Sequence, residues 1–234
     1  MTDLVDYQLS DGVATITISN GKANALSHDV FEALNQAFDR AEQDEAVVIL
    51  TGQPGIFSGG YDLKEMQKGP SEASALVKVG STFTRRLAAF PFPVIGACSG
   101  HAIAKGAFIM LSVDHRIGID GDFKLGLNEV AIGMTMHHAG IEMARHRLAP
   151  AHFYRSVVNA EIYSPQGAVE AGFLDEVVAP SELADRANAL AQQFRKLNMR
   201  AHRETKRKAK AGYLDLLDRC IEQDAANLGL SGQA

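Results

Sequence analysis

Tryptophan is absent from this 234-residue chain, cysteine occurs only twice, and no apolar run approaches the ~18 residues that a membrane-spanning helix needs. The last absence removes any helical membrane role. Cys98 and Cys220 stand far apart, one in an apolar strand pattern and one in a helical pattern, so two reduced structural thiols are expected rather than a disulfide. Zinc-type spacing is also missing, and no carboxylate or third histidine completes a metal site around His101, His137 or His138. The opening residues, Met1-Thr2-Asp3-Leu4-Val5-Asp6, lack the basic and apolar regions of a signal peptide, which gives the expectation of a cytoplasmic protein. A formal net charge of −5 argues against nucleic acid as a partner. The locally basic stretch 200–210 reads as a solvated helix face. What is present is a 46% hydrophobic content, enough for a full core in one domain with a helical appendage.

Periodicity supplies the outline. Val13–Ile18 alternates with period two and reads as a strand entered through a hairpin. Ser27 or Asp29 can cap a helix that places Phe31, Leu34, Phe38 and Ala41 on one stripe, and Ala46–Leu50 follows as a buried strand. After the break at Gly69-Pro70-Ser71, a helix is predicted from Glu72 to Phe90, stopped by Pro91 and Pro93. Val94–Cys98 is a strand, Ile103–Leu111 a helix, and His115–Ile119, Phe123-Lys124 and Leu174–Val178 are further strands. The chain is thus α/β, with recurring β-β-α turns over residues 1–180. From Ser181 onward helical spacing takes over, with Leu183, Ala187, Leu190 and Phe194 on one face and Leu214, Leu217 and Ile221 on another. This 181–234 segment must bury its apolar stripe, and a subunit interface is the expectation. The tail Gly229–Ala234 is expected to fray.

Two small-residue turns carry the chemistry. In Ile56-Phe57-Ser58-Gly59-Gly60-Tyr61-Asp62, the glycines let a ligand approach the main chain, and the Tyr61 amide is placed where the next helix begins, among donors without an intrahelical acceptor. Ser99-Gly100-His101-Ala102-Ile103-Ala104-Lys105-Gly106 repeats the arrangement forty residues on. Two donor turns of this kind suit a single carbonyl oxygen.

Several segments resemble the crotonase (enoyl-CoA hydratase/isomerase) superfamily, in its order and over nearly the whole length. They are Lys22-Ala23-Asn24-Ala25-Leu26, Phe57–Met66, Pro93–Ala102, Asp114-His115-Arg116-Ile117, Leu125–Gly133 and Ala168–Val178. The resemblance implies a crotonase-like spiral of β-β-α turns, a C-terminal helical oligomerisation segment, and a homotrimer or dimer of trimers. It also implies an acyl-CoA thioester as substrate with no further cofactor. The oxyanion donors would be the Tyr61 and Lys105 N–H groups. Lys105 departs from the family's glycine triplet, so its side chain must find a way out of the site.

Family hydratases use two carboxylates. Here the first position holds Phe108 and the second Glu129, and one carboxylate suffices to carry a proton from C2 to C4 of a 3-enoyl-CoA. The pattern is most similar to the single-glutamate 3-enoyl-CoA to 2-enoyl-CoA isomerases. Phe108, Ile132 and Met134 are expected to desolvate Glu129 and raise its pKa. Ala23, Ala25, Asp62, Leu63 and Lys64 would lie along the CoA path, with Lys22 near the phosphates. His137 and His138 are open to a catalytic, a capping or a surface role. The family's closing Asp-x-x-Glu-Gly segment does not follow Leu228, so closure of the site is expected to be built differently. A 2-enoyl-CoA hydratase and a weakly active CoA-binding protein are the alternatives.

Overall fold

Asp11 and Gly12, both at positive φ (47° and 68°), make the tight Asp-Gly turn that joins β1 (Val5–Ser10) to β2 (Val13–Ile18) as an antiparallel hairpin. The computed structural model describes residues 4–230, with side chains described through residue 226. The Ser27 Oγ accepts the Val30 N–H at 3.2 Å and starts α1 (His28–Gln43), whose stripe Val30, Phe31, Leu34, Phe38 and Ala41 is fully buried. The chain then runs β3 (Val47–Thr51), β4 (Gly55–Ser58), α2 (Leu63–Met66), α3 (Pro70–Ala89), β5 (Val94–Cys98), β6 (Gly100–Ile103) and α4 (Lys105–Ser112). It continues through β7 (His115–Ile119), β8 (Leu125–Gly126), a 3-10 turn at Val130–Ile132, α5 (His138–Arg147), α6 (Pro150–Val157) and β9 (Ile162–Tyr163). The last elements are α7 (Pro165–Ala171), β10 (Glu176–Val178), α8 (Leu183–Phe194) and α9 (Met199–Leu230).

Two sheets are laid down together. The larger has the order β1-β2-β3-β5-β7-β10, with only β1 antiparallel; the smaller has the order β4-β6-β8-β9, with only β9 antiparallel. Each coil therefore gives one strand to each sheet before its helix, as in β3-β4-α2, β5-β6-α4 and β7-β8-α5. This is the crotonase-like β-β-α spiral. β3 and β5 are covered on both faces, which explains their continuous apolar sequences. The principal core fills one face beneath α1, α3 and α4, while Val13, Val47, Ile49, Ile95 and Ile117 form a second cluster under Ala187, Leu190 and Ala191 of α8.

Several expected boundaries move for local reasons. α3 begins at Pro70, not Glu72, because proline is well suited to a first helical position that needs no N–H donor. α4 begins at Lys105, since Gly100–Ile103 is drawn into the smaller sheet as β6. The strand expected at Phe123-Lys124 lies at Leu125–Gly126, and the one expected from Leu174 starts at Glu176 while Leu174 packs into the core. The apolar stripe of α9 is not left for a neighbouring subunit: Leu214, Leu217 and Ile221 are buried, with α9 packed back over α3 and α5 of the same chain. Nor is 200–210 wholly a solvated face. Lys206 and Lys210 turn inward onto Asp114, at 2.6 and 3.3 Å. Gly229 and Leu230 close α9, and the rest of the tail expected to fray lies outside the described residues. Cys98 and Cys220 are both buried free thiols.

Candidate active site

The parallel register of β4 on β6 pairs Ser58 with Ala102, so that Gly60 comes to lie opposite Ala104, two residues beyond in each strand. A β-carbon placed on Gly60 would be 3.0 Å from the Ala104 Cβ and 3.5 Å from the Lys105 backbone nitrogen. The two turns are therefore in contact, and only a glycine fits between them. Gly106 is needed for the same reason, because a side chain there would drive into the Ser58 carbonyl at 2.4 Å.

The amides of the first turn are nearly all committed. Gly59 N–H donates to the Ala23 carbonyl at 2.9 Å, Gly60 N–H to the Ser58 Oγ at 3.1 Å, and Asp62 N–H to the Leu26 carbonyl at 3.0 Å. Tyr61 N–H has no acceptor among the described residues. Its direction is set by a parallel bridge between Leu26 and Tyr61, not by a helix start, since α2 begins at Leu63 with Asp62 as its cap. The loop that supplies Leu26 is pinned by Asn24, fully buried at positive φ, whose amide donates to the Ile18 and Phe57 carbonyls at 3.0 and 2.8 Å. In the second turn Ala104 N–H is bound to the Gly126 carbonyl at 3.0 Å. Ala104 itself holds φ 51° and ψ −120°, a conformation that side chains rarely adopt. Lys105 N–H, the first of α4, likewise has no acceptor among the described residues. Two donors without an acceptor among the described residues thus stand on two turns in contact, the kind of pair that an oxyanion requires.

Facing them is a cavity of about 230 Å³ lined by Gly59, Tyr61, Leu63, Met66, Val77, Ala104, Asn128, Glu129, Ile132, Met134, Thr135 and His137. Glu129 is its single carboxylate. It precedes the 3-10 turn, is 8% exposed, and its Oε2 has no hydrogen-bond partner among the described residues. Burial pushes its pKa up to about 7, while its own backbone N–H and Lys105 pull in the opposite direction. Asn128 Oδ1 and His137 Nε2 are also buried and have no partner among the described residues. A larger apolar hollow of about 380 Å³ lies between α8 and the ends of β3 and β5, but no titratable side chain lines it, so it offers no proton chemistry.

The residues expected from the sequence divide clearly. Tyr61, Leu63, Glu129 and His137 line the cavity, whereas Lys105 is fully buried just behind Ala104, which lines it. Ala23, Ala25, Asp62 and Lys64 lie outside its wall, although the Ala23 carbonyl holds Gly59. Phe108 is fully buried behind the cavity, with its ring edge-on to His137 at 5.4 Å, and so does not line it. Ile132 and Met134 do line it but stay 55% and 37% exposed, so they shield Glu129 only on the open side. His138 is turned away from the cavity and held by Asp224 at 2.8 Å. His137 remains inward, with a pKa brought down to about 4 by burial and, next, by the Lys105 charge. The Lys105 side chain finds its way out of the site beneath it: Nζ donates to the Thr84 Oγ1 of α3 at 3.0 Å. Sequence reasoning missed Thr84, Val77 and Thr135, which are brought in by the packing of α3 and the turn after β8, and it gave no role to Asn128 although that residue lies in the Leu125–Gly133 segment.

Comparison with known proteins agrees with this geometry. A family described as enoyl-CoA hydratase/isomerase matches residues 8–233. The chain is 32% identical over 187 residues to a probable enoyl-CoA hydratase of Bacillus subtilis, covering 78% of this chain and 72% of that one. Its fold matches an enoyl-CoA hydratase/isomerase family protein from Pseudomonas syringae with a TM-score of 0.96 and 58% identity, over 97% and 99% of the two chains. A Mycobacterium tuberculosis protein matches with a TM-score of 0.92 and 36% identity, over 97% and 99%; one structure of it is described as an isomerase and another as a probable hydratase.

Proposed function

This chain belongs to the enoyl-CoA hydratase/isomerase family, and from that premise we propose that it is an isomerase moving a double bond from C3 to C2 of an enoyl-CoA. The observation that carries this reading is the single carboxylate of the cavity, Glu129. Hydration of a 2-enoyl thioester calls for an ordered, activated water, and the position where the related hydratases are expected to carry a second acid is filled here by the buried ring of Phe108. An allylic shift needs only one group that takes a proton and returns it.

In this reading the thioester oxygen lies between the Tyr61 and Lys105 N–H groups. Glu129 removes a proton from C2, the C–H electron pair forms the dienolate, and the oxygen takes the negative charge. The same carboxyl then protonates C4, leaving the C2–C3 double bond conjugated with the thioester. Each donor of the pair is worth about 3–4 kcal/mol in the transition state. The raised proton affinity of Glu129 suits it to hold a carbon-derived proton near neutral pH. Ala23, Ala25, Asp62, Leu63 and Lys64, with Lys22, would form the CoA path at the rim. A homotrimer or dimer of trimers is part of the same proposal, and light scattering on the purified protein tests it.

The names of several relatives favour a hydratase as the second reading. Supplying 3-hexenoyl-CoA and 2-hexenoyl-CoA separately, and following the conjugated thioester absorbance, distinguishes the two. Gain of conjugation from the 3-enoyl substrate, lost in Glu129→Gln, is the expected result. Rapid loss of the 2-enoyl signal would assign hydration instead, and silence from both would favour a binding role or another acyl group.

A further inference from the structure

Lys105 is fully buried, and among the described residues its ammonium has a single hydrogen bond, to Thr84 Oγ1 at 3.0 Å. The rings of Tyr61 and Phe108 lie 5.8 Å from Nζ, and these two rings in turn abut the cavity: Tyr61 lines it, and Phe108 packs against His137, which lines it. Lys206 and Lys210 share Asp114 as a counter-ion, whereas Lys105 pairs with no carboxylate among the described residues. A methionine of similar length would fill this space without the cost of burying a charge. The backbone N–H of the same residue, next to Ala104 of the cavity wall, is the second oxyanion donor of the function proposed above, so an oxygen held by it would lie within one side-chain length of the ammonium.

We infer that the Lys105 side chain is a positioning group for proton transfer, a fixed positive charge behind the cavity wall that keeps Glu129 ionised and then steadies the enolate oxygen that inherits the negative charge. The inference rests on Glu129 acting as the base proposed above. As Glu129 takes up a proton it becomes neutral, and the charge appears on the oxygen at the Lys105 N–H. The ammonium faces a negative group on both sides of the step without moving, which is the condition for a preorganised electrostatic contribution.

The charges around Lys105 leave it this role. The Tyr61 phenol, on the link after β4, is driven upward by burial and is neutral. α3 presents Thr84, which does not titrate. His137, at the start of α5, is neutral above about pH 4. Asp224 of α9 has both oxygens occupied by the His138 and Ala139 N–H groups. Glu129 is the acid to which Lys105 is coupled, each opposing the effect of burial on the other. Burial brings Lys105 down to about 7, so its charge is itself lost in mildly alkaline solution.

The test is Lys105→Met, which keeps the backbone donor and most of the volume. Glutamate labelled with carbon-13 at the side-chain carboxyl reports Glu129 by NMR, with the resonance assigned from its loss in Glu129→Gln, and melting curves report the fold. The expected result is a Glu129 midpoint raised by about one pH unit, together with a roughly tenfold lower kcat at neutral pH and loss of the alkaline limb of the kcat profile. A purely structural lysine would lower the melting temperature and leave the midpoint in place. A folded Lys105→Met protein whose Glu129 midpoint agrees with the wild type overturns the inference. If Lys105→Met does not fold, Lys105→Gln decides: it removes the charge while keeping a polar group that can reach Thr84, and an unmoved midpoint there overturns the inference equally. Full isomerase activity in Glu129→Gln would remove the base and this role together, whereas an inactive Glu129→Gln with an unmoved midpoint in Lys105→Met removes the role of Lys105 alone.

Discussion

Asp224, near the end of α9, caps the first turn of α5 through His138: its Oδ1 accepts the His138 N–H and the ring Nδ1–H, both at 2.8 Å, and its Oδ2 accepts the Ala139 N–H at 2.9 Å. The residue in the local capping position, His137, makes no side-chain cap, so the cap comes from a residue 86 positions away in sequence. The last helix thereby fixes the segment from which His137 enters the cavity.

Asp224→Ala should for that reason lose two capping bonds and leave buried helix donors unpaired, lowering stability by about 2 kcal/mol. Because the cap lies one residue from His137, the variant should also show a higher KM for an enoyl-CoA. Urea denaturation and steady-state kinetics check both, and a variant with wild-type stability would show that solvent replaces the cap without cost.

Gly60→Ala probes the contact between the two donor turns. At φ 102° the new residue is strained, and its Cβ would meet the Ala104 Cβ at 3.0 Å, pushing the Tyr61 and Lys105 N–H groups apart. The loss of one aligned donor should reduce kcat by about 10²–10³-fold with a smaller effect on KM. Unchanged kcat in a folded Gly60→Ala protein would mean that these amides do not hold the reacting oxygen.

Much of this arrangement was legible in the sequence where it is local. The Ser27 cap, the stripe of α1, the continuous apolar strands β3 and β5, and the Gly59-Gly60 turn each follow from spacing within a few residues. β6 was hidden because four residues between two breaks show no periodicity, and it forms only because β4 and β8 flank it. The inward turn of Lys206 and Lys210 depends on Asp114, about ninety residues earlier. The environment of Lys105 was equally unreadable, since nothing near Thr84 marks it as the partner of a buried ammonium. His137 and His138 look alike in sequence, and only the position of Asp224 sends one outward and leaves the other in the cavity.

Glu129 makes a claim on stability that can be separated from its chemistry. Its folded pKa of about 7 lies above the ordinary 4.5, so the folded state binds the proton more tightly than the unfolded chain does. Whatever Glu129 contributes is therefore fully present below about pH 4.5, declines as the pH rises toward 7, and is gone above it. The 2.5-unit difference corresponds to about 3 kcal/mol of destabilisation once the buried carboxyl is ionised. Glu129→Gln removes the titration, so the variant should match the wild type near pH 4.5 and exceed it by up to ~3 kcal/mol as the pH approaches 7. Lys105 acts in the other direction, above about pH 7 in the wild type and from a lower pH in the variant that lacks the Glu129 charge, so the informative feature is the fall of the wild-type curve between pH 4.5 and 7. Urea denaturation of the two proteins across that interval is the measurement. Parallel stability curves would show that Glu129 titrates normally, and would deprive the proposed proton shuttle of its raised proton affinity.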